Sequence, residues 1–228
     1  MKKTQPLRPK VKICCISTND EARLAVHHGA DILGLVGEMP SGPGIINDDQ
    51  ISAISRMSPP GIDTFLLTSE TTTAGILAHV KRTHTKSIQL VDAVKKTVYD
   101  ELRTALPYVN IIQVIHVLDE HSVEEAKAIA PFVDALLLDS GNPNLTIKEL
   151  GGTGRTHNWD LSKTIVEEVT VPVFLAGGLS PLNIAAAYEK VNPYGFDLCS
   201  GVRTNGQLDE EKLNAFFTAL HGATSYSI

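Results

Sequence analysis

Apolar runs of strand length alternate with amphipathic segments from one end of the chain to the other. A short apolar run between turn-forming residues predicts a buried strand, whereas apolar positions three or four apart predict a helix. The runs that predict strands are residues 11–16, 32–36, 63–68, 87–91, 109–117, 134–139, 171–176 and 196–200. The segments that most clearly predict helices are residues 21–28, 74–82, 123–130, 181–191 and 209–220.

Eight strands with helical sequence between them predict a single-domain α/β fold, the (β/α)8 TIM barrel. An open, doubly wound sheet is the alternative, because the same alternation also permits it. A glycine-rich turn after the first strand would favour the open sheet, and residues 15–20 contain no glycine. We therefore expect residues 11–222 to form the barrel, with residues 1–10 as a flexible extension and residues 223–228 as a tail.

The composition narrows the classes of function. The 228 residues include 20 basic and 26 acidic side chains, and a net charge of −6 argues against a broad nucleic-acid surface. Three cysteines without paired spacing indicate neither a disulfide framework nor a zinc site. No apolar segment has the length of a membrane helix, and none follows the basic start as in a signal peptide. We expect a cytoplasmic protein that binds neither nucleic acid nor membrane.

Three glycine-rich turns lie late in the chain, at residues 151–154, 176–179 and 200–202. The second and third each follow an apolar run and precede helical sequence. Glycine lets the backbone approach a ligand closely, and free N–H groups at such turns bind anions without a basic side chain. The turns therefore predict a phosphorylated ligand at one end of the fold.

Two side chains fall where a barrel carries its catalytic groups, at the carboxyl ends of strands. Cys14 lies near the end of the first predicted strand, and Asp139 ends the sixth. A thiolate could accept a proton and a buried carboxylic acid could donate one. The alternatives remain open at this point, because a cysteine in an apolar strand is often a core residue and an aspartate before Ser-Gly often caps a turn.

Short segments along the whole chain match the motifs of one family, in order and at the right spacing. They are residues 12–17 (Lys-Ile-Cys-Cys-Ile-Ser), 29–34 (Gly-Ala-Asp-Ile-Leu-Gly), 89–90 (Gln-Leu), 136–140 (Leu-Leu-Leu-Asp-Ser), 151–154 (Gly-Gly-Thr-Gly), 158–159 (Asn-Trp), 175–183 (Leu-Ala-Gly-Gly-Leu-Ser-Pro-Leu-Asn) and 197–202 (Asp-Leu-Cys-Ser-Gly-Val). The chain resembles phosphoribosylanthranilate isomerase, whose opening motif is Lys-Ile-Cys-Gly-Ile-Thr. Each segment is short, but their order and spacing make the resemblance specific.

The resemblance implies a (β/α)8 fold and the Amadori rearrangement of an N-substituted phosphoribosylamine to a ketose, a step of tryptophan biosynthesis. It places the family's general base on Cys14 and its general acid on Asp139, and it implies no metal or organic cofactor. It also implies a small phosphorylated sugar as substrate and a monomer or homodimer. The residues expected to bind substrate or phosphate are Gly152, Gly154, Gly177, Gly178, Ser200, Gly201 and Arg203. Arg203 stands where the family has glutamate, and an added cation would favour phosphate binding.

The sequence departs from the family where the anthranilate part of the substrate would bind. After the second strand the family has Ser-Pro-Arg, whose arginine contacts that part, but residues 40–46 contain no arginine. In the fourth strand the family has His-Gly after Gln-Leu, and this chain has Val91-Asp92 there, which introduces an acid. Three hypotheses remain: a divergent isomerase with a substitute contact such as Arg56 or Lys95, a paralogue acting on another phosphosugar, and a non-catalytic phosphosugar-binding barrel.

Overall fold

Eight parallel strands close into a barrel in the computed structural model, which describes residues 8–225. The strands pair in chain order, and the eighth pairs with the first through the register Lys12 to Asp197 and Ile13 to Leu198. The predicted (β/α)8 barrel is thereby confirmed, and the open sheet is excluded.

Each strand is followed by one helix. The strands are β1 (Lys10–Ile13), β2 (Ile32–Val36), β3 (Asp63–Thr68), β4 (Ser87–Leu90), β5 (Asn110–His116), β6 (Ala135–Asp139), β7 (Val173–Leu175) and β8 (Gly195–Leu198). The helices are α1 (Asn19–His28), α2 (Asp48–Met57), α3 (Thr73–Thr83), α4 (Lys96–Ala105), α5 (His121–Ile129), α6 (Trp159–Glu168), α7 (Ile184–Val191) and α8 (Glu210–Ser225). A hairpin of β9 (Arg203–Thr204) and β10 (Gln207–Leu208) lies between β8 and α8.

Three of these helices, α2, α4 and α6, are not among the segments singled out from the sequence. The start of α2 nevertheless carries a clear signal, because Asn47 and Gln50 form a reciprocal capping box. The helix predicted from residue 181 begins later, at Ile184. Its first residues form a turn instead, since the Ser180 hydroxyl accepts from the backbone N–H of Leu182 and Asn183 becomes the N-cap.

The ends of the barrel differ slightly from the predicted bounds. β1 begins at Lys10, one residue before the predicted barrel, and both Arg8 and Lys10 pair with Asp31. The last helix continues through Ser225, into the predicted tail. Most of the predicted extension, residues 1–7, and the last three residues of the tail lie outside the described part of the chain.

Successive strand residues face alternate sides, which divides the buried residues into two groups. Ile13 and Leu198 are fully or almost fully buried in the apolar layer between the barrel and its helices. Lys12 and Asp197 face the barrel interior, where they form an ion pair. Because all strands are parallel, their carboxyl ends and the loops that follow them surround one end of the barrel. Among residues 8–225, no helix has the length and apolar character needed to cross a membrane.

Candidate active site

A cavity opens among the carboxyl ends of the strands, and both predicted proton-transfer residues line it. Cys14 approaches from the end of β1 and Asp139 from the end of β6, nearly opposite in the eight-stranded barrel. The predicted binding residues that also line it are Gly152, Gly154, Gly177, Gly178 and Ser200. The structure thus brings together residues that lie as much as 186 positions apart, from residue 14 to residue 200.

The surroundings of Cys14 favour its thiolate. The residue is 5% exposed, and its backbone N–H donates to the carbonyl of Leu198 at 2.7 Å, so the end of β1 is held against β8. The thiol of Cys15 donates a hydrogen bond to the sulfur of Cys14, and this bond, with the charge of Lys12, lowers the pKa of Cys14. Burial and the charge of Asp197 oppose the decrease without reversing it.

A buried ion pair lies directly below the thiol. The Nζ atom of Lys12 is 2.8 Å from Oδ2 of Asp197, and Lys12 has no exposed surface. Burial alone would lower the pKa of Lys12, but the charges of Asp197 and Cys14 outweigh it and raise that pKa. Gly34 leaves room for this arrangement, since a Cβ there would lie 2.9 Å from both the Cys14 sulfur and the Lys12 nitrogen. A permanent cation therefore accompanies the thiol.

Asp139 has the opposite tendency, because its surroundings favour the protonated carboxyl. Burial raises its pKa, and the charge of Asp197 adds to the increase. The charge of His116 and the backbone N–H groups of Ser140 and Gly141 oppose the increase only in part. Within residues 8–225, no group hydrogen-bonds its Oδ2 atom.

Gly151 keeps space open beside this oxygen. A Cβ at Gly151 would lie 3.1 Å from Oδ2 of Asp139, and the glycine has a φ of 138° that other residues rarely adopt. An acidic proton on Asp139 can therefore reach a ligand in the cavity.

The glycine turns form the other side of the cavity. Gly178 has a φ of 60°, and a Cβ there would lie 2.7 Å from the carbonyl carbon of Arg155, so the turn after β7 and the loop after β6 pack backbone against backbone. Within the described residues, the N–H groups of Gly178, Ser200 and Gly201 donate to no other group. Gly178 and Ser200 line the cavity, and unpaired amides of this kind are suited to binding an anion such as phosphate.

Comparison with known proteins agrees with this geometry. The family model described as N-(5′-phosphoribosyl)anthranilate isomerase matches residues 11–219. The chain belongs to this family. A relative from Methanosarcina mazei, named N-(5′-phosphoribosyl)anthranilate isomerase 2, is 35% identical over 91% of this chain and 92% of its own length. Another from Methanocella arvoryzae, with the same enzyme name, is 31% identical over 90% of this chain and 93% of its own length.

Solved structures of the family have the same fold. The phosphoribosylanthranilate isomerase of Thermotoga maritima superposes with a TM-score of 0.78 at 26% identity, and the match covers 94% of this chain and 99% of that one. The resemblance inferred from the short motifs is therefore confirmed along nearly the whole chain.

This isomerase departs from the family motifs in the loop after β2, and the structure shows what occupies that region. The loop after β2 meets the loop after β6 above the cavity, where the Ser41 hydroxyl donates to the carbonyl of Lys148. Pro43 packs on Gly152, whose Cβ would lie 2.5 Å from the proline ring. The side chain of Lys148 pairs with Asp92, so the acid that follows β4 has a cationic partner. The sequence gives no sign of this pair, because its members are 56 residues apart.

Two of the predicted binding residues do not line the cavity. Arg203 is buried beside the loop after β1, where its guanidinium donates to Glu21 and to backbone carbonyls. The carboxylate that holds Arg203 lies 182 residues earlier in the chain, so the sequence around Arg203 carries no signal of this contact. Gly201 instead packs against the turn after β7, since a Cβ there would lie 1.9 Å from the carbonyl oxygen of Leu179.

Arg56 and Lys95, the two cations suggested as substitutes for the family arginine, lie at opposite ends of the barrel. Arg56 lies in the last turn of α2, and a helix in this fold ends at the amino-terminal side of the barrel, away from the cavity. Lys95 caps the start of α4 and therefore lies at the cavity end. Neither residue lines the cavity, and sequence reasoning did not identify Lys148.

Proposed function

We propose that this chain catalyses the Amadori rearrangement of N-(5′-phosphoribosyl)anthranilate in tryptophan biosynthesis, with Cys14 as general base and Asp139 as general acid. The observation that carries the proposal is one cavity in which a thiol with a lowered pKa and a carboxyl with a raised pKa lie beside unpaired backbone amides. Acid–base catalysis at neutral pH needs such a pair, because one group must hold a proton while the other has lost it.

The reaction follows from the two protonation states. Asp139 donates its proton to the ring oxygen of the sugar, the C1′–O bond breaks, and the lone pair of the amine nitrogen forms a C=N bond. The Cys14 thiolate then removes the proton from C2′, the electrons of that C–H bond form the C1′=C2′ bond, and the π electrons of the C=N bond return to the nitrogen, which gives the enol form of the ketose. The proton gained by Cys14 and the one lost by Asp139 balance over the turnover.

The glycine turns after β6, β7 and β8 would bind the 5′-phosphate through their amides. Gly178 and Ser200 supply two of these N–H groups, and neither needs a basic side chain. With the phosphate held on this side, the sugar ring lies between the two proton-transfer groups. Binding energy from the phosphate, which does not react, then serves to orient C1′ and C2′.

The anthranilate carboxylate would lie on the opposite side, beneath the loops after β2 and β6. Lys148 does not line the cavity, but it is partly exposed in the adjoining loop after β6, and it would contact an anionic substituent by exchanging Asp92 for the substrate carboxylate. Retention of both Cys14 and Asp139 argues against a non-catalytic barrel. A paralogue with a neutral or cationic substituent is the alternative, because residues 40–46 contain no arginine and Lys148 is paired with Asp92.

Turnover of phosphoribosylanthranilate, followed by the decrease in its fluorescence, tests the proposal. We expect the wild type to convert it, and Cys14→Ala and Asp139→Asn to lower kcat by about 100-fold or more. The matched control is Asp100→Asn, which removes an exposed carboxylate from α4 and should turn over normally. No turnover by the wild type would refute the substrate, and near-normal turnover by both variants would refute the acid–base pair.

We also propose that the protein acts in the cytoplasm as a monomer or homodimer. The three cysteines are free, and a reducing compartment would keep the Cys14 thiol available. The Thermotoga maritima isomerase is described as dimeric, although a monomeric form has been made. Light scattering of the purified protein would give the mass, with 24.6 kDa expected for one chain.

A further inference from the structure

Arg203 makes an unusual set of contacts behind the catalytic thiol. Its Nη2 atom donates to the backbone carbonyl of Cys15 at 2.6 Å and to that of Cys14 at 3.1 Å. Its Nη1 atom donates to Glu21 at 2.6 Å and to the carbonyl of Gly206 at 2.9 Å. The side chain is 7% exposed. One buried cation thus connects the turn after β1 with the hairpin after β8.

Glu21 anchors this cation and is itself well held. Its carboxylate accepts from the backbone N–H and the hydroxyl of Ser17, and from the backbone N–H of Leu208. The bond to Arg203 and these backbone bonds lower the pKa of Glu21, although burial opposes them. The carboxylate is therefore charged at neutral pH, and the guanidinium has a fixed partner.

The turn that Arg203 holds has a disfavoured backbone conformation. Cys15 has a φ of 61°, in the left-handed region that residues with a Cβ rarely adopt. The resembling family motif has glycine at this position, where the conformation carries no such strain. Cys15 lacks that freedom, and its side chain is also confined, since a Cβ on Gly44 would lie 2.4 Å from the Cys15 Cβ.

The two carbonyls on Nη2 belong to the residues on either side of the peptide bond that leaves Cys14. Rotation at Cys15 out of the left-handed region would swing its carbonyl away from the guanidinium and turn the preceding peptide plane. That plane carries the Cys14 carbonyl, so the direction of the Cys14 side chain would change with it. The distance between thiolate and substrate carbon is sensitive to shifts of this size.

We propose that Arg203, fixed by Glu21, is a positioning residue that holds the left-handed turn at Cys15 and so keeps the Cys14 thiol facing the reacting carbon. Arg203 does not touch the substrate. The inference rests on the proposed role of Cys14 as base. It also gives the arginine at this position a function other than the phosphate contact expected from the sequence.

A double-mutant cycle tests the proposal. Arg203→Met should lower kcat by about 10- to 100-fold while KM for phosphoribosylanthranilate stays within about twofold. In the Cys15→Gly background the same change should lower kcat by less than about threefold, because glycine keeps the left-handed conformation unaided. An equal loss in both backgrounds, or no loss of kcat in folded Arg203→Met, would overturn the proposal.

Two further variants separate positioning from general damage to the fold. Arg203→Lys keeps a charge for Glu21 but has one nitrogen where the guanidinium presents two to its partners. We expect a smaller loss of kcat than in Arg203→Met, and again a weaker loss in the Cys15→Gly background. This variant replaces Arg203→Met if Arg203→Met does not fold. Arg103→Met removes another arginine–carboxylate pair, the more exposed one with Asp134, before β6 at the far end of the barrel. This matched control should leave kcat and KM unchanged.

Alkylation distinguishes failure of this inference from failure of the proposed function. The rate at which iodoacetamide modifies Cys14, followed by peptide mass spectrometry, does not depend on catalysis. It should fall about tenfold in Arg203→Met relative to wild type, but by less than about threefold in Arg203→Met/Cys15→Gly relative to Cys15→Gly. Cys15→Gly is the reference in that background because it also removes the hydrogen bond that lowers the pKa of Cys14. If Cys14→Ala stays active, the base assignment fails but this alkylation result still stands. An alkylation rate unchanged by Arg203→Met would overturn the positioning role.

Discussion

Asparagine in place of Asp139 should stabilise the fold while it abolishes isomerisation. The carboxyl is buried and has no cationic partner at ion-pair distance among residues 8–225, and burial raises its pKa. Ionisation of this carboxyl in the folded chain therefore lowers the stability of the fold. Asparagine keeps nearly the same shape and can accept the backbone bonds from Ser140 and Gly141, yet it never ionises.

The sign of the pH dependence follows from proton linkage. The folded chain binds a proton on Asp139 more tightly than the unfolded chain does, so stability falls as the pH rises between the two pKa values. Below about pH 3.9, the ordinary value for aspartate, the group is neutral in both states and the substitution gains nothing. The advantage of asparagine then grows with pH and becomes constant above the folded pKa.

The magnitude can be stated per unit of pKa difference. One unit between the folded and unfolded chains corresponds to about 1.4 kcal/mol of unfolding free energy. For a chain of this size, that raises Tm by about 3–5 °C. The prediction concerns the direction of the pKa change. The quantity to compare is therefore how the Tm difference between variant and wild type changes from pH 4.5 to pH 8, rather than the Tm at a single pH.

Thermal unfolding of wild type and Asp139→Asn between pH 4.5 and pH 8, followed by circular dichroism, measures this difference. Asp100→Asn is the control, since the loss of an exposed carboxylate on α4 should give a nearly constant difference across the range. A constant difference for Asp139→Asn as well, or a variant less stable than wild type at pH 8, would refute a raised pKa for this carboxyl. The assignment of Asp139 as the acid would then lose its physical basis.

Three further substitutions test other parts of the site. Asp197→Asn should lower the free energy of unfolding by about 3–5 kcal/mol, because it leaves the buried Lys12 ammonium unpaired. This effect is opposite in sign to that of Asp139→Asn, and an unchanged midpoint of urea unfolding would contradict a charged pair. Gly178→Ala should raise KM and abolish thermal stabilisation by inorganic phosphate, because the left-handed turn touches Arg155; normal phosphate stabilisation would place the phosphate elsewhere. Lys148→Met should raise KM by about 5- to 10-fold with kcat little changed, and an unaltered KM would exclude it as the anthranilate contact.

Much of the barrel could be predicted because its signals are local. A strand buried on both faces is a continuous apolar run, and each of the eight runs overlaps a strand of the closed sheet. Parallel topology then places every strand end at one opening, so Cys14 and Asp139 could be assigned to a common site before any contact was known. The glycine turns were recognisable for the same reason, since their special backbone conformations depend on a few neighbouring residues.

The contacts that tune the site could not be predicted, because their members are far apart in the chain. Lys12 and Asp197 are separated by 185 residues, and Arg203 and Glu21 by 182. Nothing near Arg203 in the sequence distinguishes a cation that binds phosphate from one that holds a turn. Its side chain points toward Glu21, and only the tertiary structure brings these two residues together.

The same ion pair acts on both proton-transfer groups, which explains why one buried cation and one buried anion lie beneath the cavity. The charge of Lys12 lowers the pKa of Cys14, and the charge of Asp197 raises the pKa of Asp139. Asp139 and Asp197 are both buried aspartates, yet only Asp197 has an ammonium at 2.8 Å. Burial is the largest cause of the increase at Asp139, and the hydrogen bond from Cys15 is the largest cause of the decrease at Cys14; Asp197 and Lys12 add to these two changes, respectively.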